Sequence, residues 1–123
     1  MSKPNLVPAL CAALASLAVA GAAAAHPHLL RADPAPQSIS RGSPRMIHLS
    51  FSEPLIANFS GVTLSSMNGR PAPVGRAMLD PRDRQTLMAP VTQPLSPGAY
   101  VVRWRAVSVD THRMTGQYIF RVR

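Results

Sequence analysis

Apolar and polar residues alternate along this chain in short runs rather than recurring at helical spacing. Residues 46–52 place Ile47, Leu49 and Phe51 on one side and His48, Ser50 and Ser52 on the other, the two-residue period of a strand with one wet face. Val62 and Leu64 alternate with Thr63 and Ser65 in the same way. Later, Tyr100, Val102, Trp104 and Ala106 alternate with Val101, Arg103, Arg105 and Val107, and Tyr118, Phe120 and Val122 alternate with Ile119, Arg121 and Arg123. Arginines on the polar phase of these two strands imply a solvated sheet face. Residues 85–88 read as a shorter strand, and 71–77 as an edge or loop because Pro71 and Pro73 have no N–H for a ladder. Turn signals at Asp33-Pro34, Gly42-Ser43-Pro44, Glu53-Pro54, Asn68-Gly69, Asp80-Pro81, Pro97-Gly98 and Thr115-Gly116 leave no room for a long helix. The pattern predicts an all-β Greek-key sandwich or small barrel.

The first 25 residues differ in kind. Lys3 is followed by an apolar stretch and then by Ala23 and Ala25, the small residues that precede a signal-peptidase cut, so residues 1–25 are expected to be a secretory signal and 26–123 the mature domain. That leaves roughly a hundred residues, the size of one small sandwich domain. The only lysine and the only cysteine, Lys3 and Cys11, fall within the signal. The mature part then carries no thiol, and a metal site in it must use nitrogen, oxygen or thioether donors. Its twelve arginines outweigh five acids, Asp33, Glu53, Asp80, Asp83 and Asp110. These arginines are dispersed and few aromatics accompany them, which argues against nucleic acid as the partner. No stretch of 26–123 approaches the length of a membrane span, and no nucleophile elbow, phosphate loop or catalytic carboxylate pair points to an enzyme.

Cleavage after Ala25 makes His26 the first residue. Its α-amine and imidazole Nδ1 then close a six-membered chelate ring on a metal, or His26 is simply the residue the cut leaves behind. The alternative amino-terminal Cu(II) mode needs a deprotonated second amide, which Pro27 does not have. A second group is Asp110-Thr111-His112. Residues two apart on extended chain point the same way, so Asp110 and His112 converge on one ion suited to Cu(II), Zn(II) or Ni(II), or they form a plain surface turn. His28, two residues from His26, reaches the same ion, hydrogen-bonds Asp110 or is simply solvated. His48 reads as an exposed imidazole. Met46, Met67, Met78, Met88 and Met114 are scattered, so core filling, not a Cu(I) pocket, is expected of them.

These residues resemble the bacterial CopC-type (CopC/YobA) copper-resistance proteins. The resemblance rests on His26-Pro27-His28-Leu29, Asp33-Pro34-Ala35, the run from Leu49 through Ser52-Glu53-Pro54 to Leu55, and above all Trp104-Arg105-Ala106-Val107-Ser108 leading to Asp110-Thr111-His112. It implies an immunoglobulin-like Greek-key barrel of about seven strands in a monomeric periplasmic protein. It also implies one Cu(II) per mature chain, held by the amine and imidazole of His26 with Asp110 and His112, while Glu53 and His28 are additional or outer contacts. Some members carry a methionine-rich loop that binds Cu(I), whereas residues 67–88 here lack its closely spaced Met and His. The implied function is copper sequestration or delivery to a CopD-type inner-membrane transporter. Two other readings stand beside it: a copper oxidase using an amino-terminal histidine chelate, and a metal-free interaction domain.

Overall fold

The computed structural model describes residues 26–123, together with Ser2 and Pro4. Apart from those two, the segment expected to be a signal lies outside the described residues. Among the described residues nine strands follow one another: β1 (Leu29–Asp33), β2 (Ile39–Ser40), β3 (Met46–Phe51), β4 (Gly61–Ser66), β5 (Pro71–Ala72), β6 (Met78–Asp80), β7 (Asp83–Pro90), β8 (Gly98–Val107) and β9 (Arg113–Val122). Seven of them are three residues or longer, and a single 3₁₀ turn at Ala57–Phe59 precedes β4. No helix among the described residues is long and apolar enough to cross a membrane.

The strands form two sheets, ordered β1-β3-β7-β6 and β2-β9-β8-β4-β5. The barrel alternative is thereby excluded: the sheets stack face to face with open edges. Written in chain order as A, A′, B, C, C′, D, E, F and G, these sheets are A-B-E-D and A′-G-F-C-C′, the immunoglobulin arrangement. Ile47, Leu49, Leu87 and Ala89 from one sheet and Val102, Ala106 and Phe120 from the other are fully shielded between them.

Local chemistry explains where the chain turns. The Tyr100 hydroxyl donates to the Ser96 carbonyl at 2.6 Å, tying the start of β8 to the loop before it in the manner of a tyrosine corner. Gly69, at φ 86°, closes the β4–β5 turn where a side chain would be strained.

Two expectations fail, and one expected strand is longer than its pattern. Thr115-Gly116 is no turn but the middle of β9, where Gly116 lies opposite Trp104; a Cβ there would sit 2.3 Å from the indole. The glycine is needed for space, so that Trp104 can pack edge-on against Phe51 with ring centroids 5.0 Å apart. Residues 85–88 belong to an eight-residue strand paired on both sides, longer than the pattern indicates. Lastly, none of the five methionines among the described residues belongs to the buried core; Met67 and Met78 are exposed, because the aliphatic and aromatic residues of the alternating faces already fill the space between the sheets.

Candidate metal centre

Three segments meet at one end of the sandwich. Residues 26–29 lead into β1, residues 52–55 leave β3, and residues 108–112 join β8 to β9. Ser52 binds the first two together: its N–H donates to the His28 carbonyl at 2.9 Å, and its Oγ accepts the His28 N–H at 2.8 Å. The third is strapped to the second by the Val109 N–H donating to the Pro54 carbonyl at 3.0 Å and by a bridge between buried Leu55 and Ser108.

The loop carrying Asp110 and His112 is a tight hairpin end. The Ser108 N–H donates to the His112 carbonyl at 2.9 Å, and the Thr111 N–H returns to the Ser108 carbonyl at 2.8 Å with Thr111 in the left-handed region, φ 71°. Asp110 and His112 therefore approach through a turn, not along extended chain as expected. The Nδ1 atom of His112 lies 3.2 Å from Oδ1 of Asp110. Sequence reasoning missed Ser108, the residue that organises this loop. Its side chain is 1% exposed, its hydroxyl donates to Asp110 Oδ1, and its Oγ accepts the His112 N–H at 3.2 Å. A serine two positions before an aspartate is the only signal of this in the sequence. That hydroxyl first, and the neighbouring His112 ring second, hold the Asp110 carboxyl below the usual carboxylate range.

His26 reaches the same place from the other end of the chain, its ring edge-on to that of His112 with centroids 5.1 Å apart. His112 is thus shared between two pairwise contacts, while no three His, Cys, Asp or Glu side chains among the described residues surround a single point. His28 is exposed and held through its backbone; Glu53 is half-buried beside Pro54 in the strapped segment. Nδ1 of His112 is screened from water and has no hydrogen bond of good geometry, despite its nearness to Asp110. An imidazole nitrogen beside a carboxylate oxygen is a donor pair of the kind that divalent first-row ions take. Two neighbouring donors on one ion, each bonded at about 2.0–2.1 Å, lie roughly 3 Å apart, close to the separation of that nitrogen from the carboxylate. The larger hollows, about 600 and 750 Å³, flank Trp104 and do not include these residues, but an ion needs donors rather than volume.

The architecture and the rim cluster define a class, an immunoglobulin-like sandwich with imidazole and carboxylate donors gathered on the loops at one end. Residues 29–123 match the model of the CopC domain, and the chain belongs to that family. It is 39% identical over 114 residues to a copper resistance protein C of Pseudomonas syringae pv. tomato, covering 89% of this chain and 90% of that one. It is 34% identical over 99 residues to protein YobA of Escherichia coli K12, covering 80% of each. The crystal structure of PcoC, a methionine-rich copper resistance protein from Escherichia coli, superposes with a TM-score of 0.71 at 36% identity, covering 80% of this chain and all of that one.

Proposed function

We propose that this chain is an exported copper-binding protein that takes one Cu(II) per mature molecule, in the periplasm, as a monomer. In this reading residues 1–25 are removed after Ala25. The new α-amine and the His26 imidazole then chelate the ion, and Asp110 and His112 complete its plane. His28 and Glu53 are outer contacts in the strapped segments. The observation that carries the reading is the approach of His26 to His112, itself 3.2 Å from Asp110, in a chain whose relatives are named copper resistance proteins. Imidazole and carboxylate together suit Cu(II), which binds such donors most tightly among the divalent first-row ions. The protein sequesters copper or passes it to a CopD-type membrane transporter; binding, not catalysis, is its task.

The amine exists only after the cut. Protein beginning at His26 is therefore expected to bind Cu(II) orders of magnitude more tightly than protein retaining Ala25, in a titration against a competing chelator. Equal affinities would remove the amine, and with it this ligand set.

A further inference from the structure

Five methionines lie within residues 26–123, far apart in sequence and none in the core. Strand pairing nevertheless brings three of them onto one surface. In the four-stranded sheet Asp33 pairs with His48, His48 with Met88, and Met88 with Met78, so these residues form a single row across β1, β3, β7 and β6. Their neighbours Ile47, Leu49, Leu87 and Ala89 are fully buried, so the row lies on the outer face. Met46 stands on that face two residues from His48 and diagonal to Met88. Directly opposed Cβ atoms on paired strands are about 4.5–5.5 Å apart and diagonal ones about 7–8 Å, within reach of a thioether carried on three rotatable bonds.

We propose that His48, Met88 and Met78, with Met46 as a fourth donor, form a second metal site for a soft monovalent cation, Cu(I) or Ag(I). Thioether sulfur is soft and neutral, and it selects Cu(I) over divalent ions that prefer oxygen and nitrogen. One imidazole completes a neutral donor set, and the Asp33 carboxylate opposite His48 lies on the same row to balance the charge. The site is distinct from the rim cluster. His48 lies four residues along β3 from Ser52, about 13 Å at the rise of an extended strand. Its donors stand on strands fixed by the ladder, not on a methionine-rich loop.

The test uses residues 26–123, which contain both sheets and the whole core, titrated with Ag(I) while the methionine methyl resonances are followed. One equivalent is expected to shift Met78 and Met88, with Met46, and to leave Met67 and Met114 in place. Loss of a ligand costs at least as much as loss of an outer contact, so Met88→Leu should weaken Ag(I) binding roughly tenfold or more without changing Cu(II) affinity. Met78→Leu should act in the same direction, and because Met78 is 48% exposed it tests the site without disturbing the fold. His112→Ala should leave Ag(I) binding as it was. Shifts at Met67 or Met114 instead, or unchanged Ag(I) affinity in both leucine variants, would overturn the proposal.

Discussion

At the rim of the sandwich His26, Asp110 and His112 hang from two loops held by Ser52 and Ser108, whereas His48, Met88 and Met78 stand on three consecutive strands of one sheet. The rim donors owe their positions to a few hydroxyl contacts and, in the proposed mature protein, to a free chain end. Such a cluster is sensitive to a single side chain. The strand row owes its spacing to the backbone ladder of four strands. It is indifferent to any one hydroxyl and unable to rearrange, so its ligand has to suit flexible thioethers. Loops and register are thus two independent ways of assembling donors on one small fold, and variants that act on only one of them separate the two.

Ser108→Ala should have the largest selective effect. It removes the donor to Asp110 and the acceptor for the His112 N–H, while the strand row is untouched. Loss of such an orienting partner costs roughly 10–100-fold in metal affinity, so Cu(II) binding should fall by that factor in a competition titration and Ag(I) binding should not change. An equal loss at both sites would mean that the two are not independent.

The two buried tyrosines of the five-stranded sheet separate fold stability from metal binding. Tyr100→Phe deletes the bond to Ser96 and should cost about 1 kcal/mol in urea unfolding. Tyr118→Phe should cost nothing or stabilise, since its hydroxyl is buried without a partner. Burial, with the Asp33 charge adding to it, pushes the Tyr118 phenol far above its ordinary pKa. Neither change should alter the affinity for either ion.

The smallest effect concerns the hydroxyl chain beside the strand row. Thr86 Oγ donates to Asp83 at 2.7 Å and Ser50 Oγ lies 2.8 Å from Thr86, while the Gln85 N–H also donates to Asp83 at 2.9 Å. The Thr86 hydroxyl first and the Gln85 amide second lower the Asp83 pKa. A carboxylate depressed in the folded state contributes stability above its unfolded pKa and loses it as pH falls through the folded value. Asp83→Asn should therefore flatten stability against pH in the acid range below the usual carboxylate pKa, and leave it nearly parallel to wild type at neutral pH. A slope unchanged in acid would show that Asp83 is not held this way.

Strands β3, β4, β7, β8 and β9 were legible because each has a buried face whose two-residue period survives in the sequence, whereas β1, β2 and β6, with one buried residue between them, carry no such period. Gly116 was misread as a turn because its reason for being glycine, the indole of Trp104, comes from the neighbouring strand. The rim donors were visible as residue types and spacings, but Ser108 was not, since its role depends on how the hairpin folds back on itself. The His48, Met88 and Met78 row was invisible for a similar reason: the sequence places His48 and Met88 on separate strands and Met78 on none, and only the register of two pairings sets them side by side. Local pattern specifies elements, and cross-strand chemistry appears only once their alignment is fixed.

The central claim is that His112, and not His48, holds Cu(II). Electron paramagnetic resonance of the one-equivalent Cu(II) forms of protein beginning at His26 tests it directly, because loss of an equatorial nitrogen changes the copper hyperfine pattern. His112→Ala is expected to give a different spectrum, and His48→Ala one superimposable on that of the unaltered protein. An unchanged spectrum in His112→Ala, or a changed one in His48→Ala, would contradict the assignment.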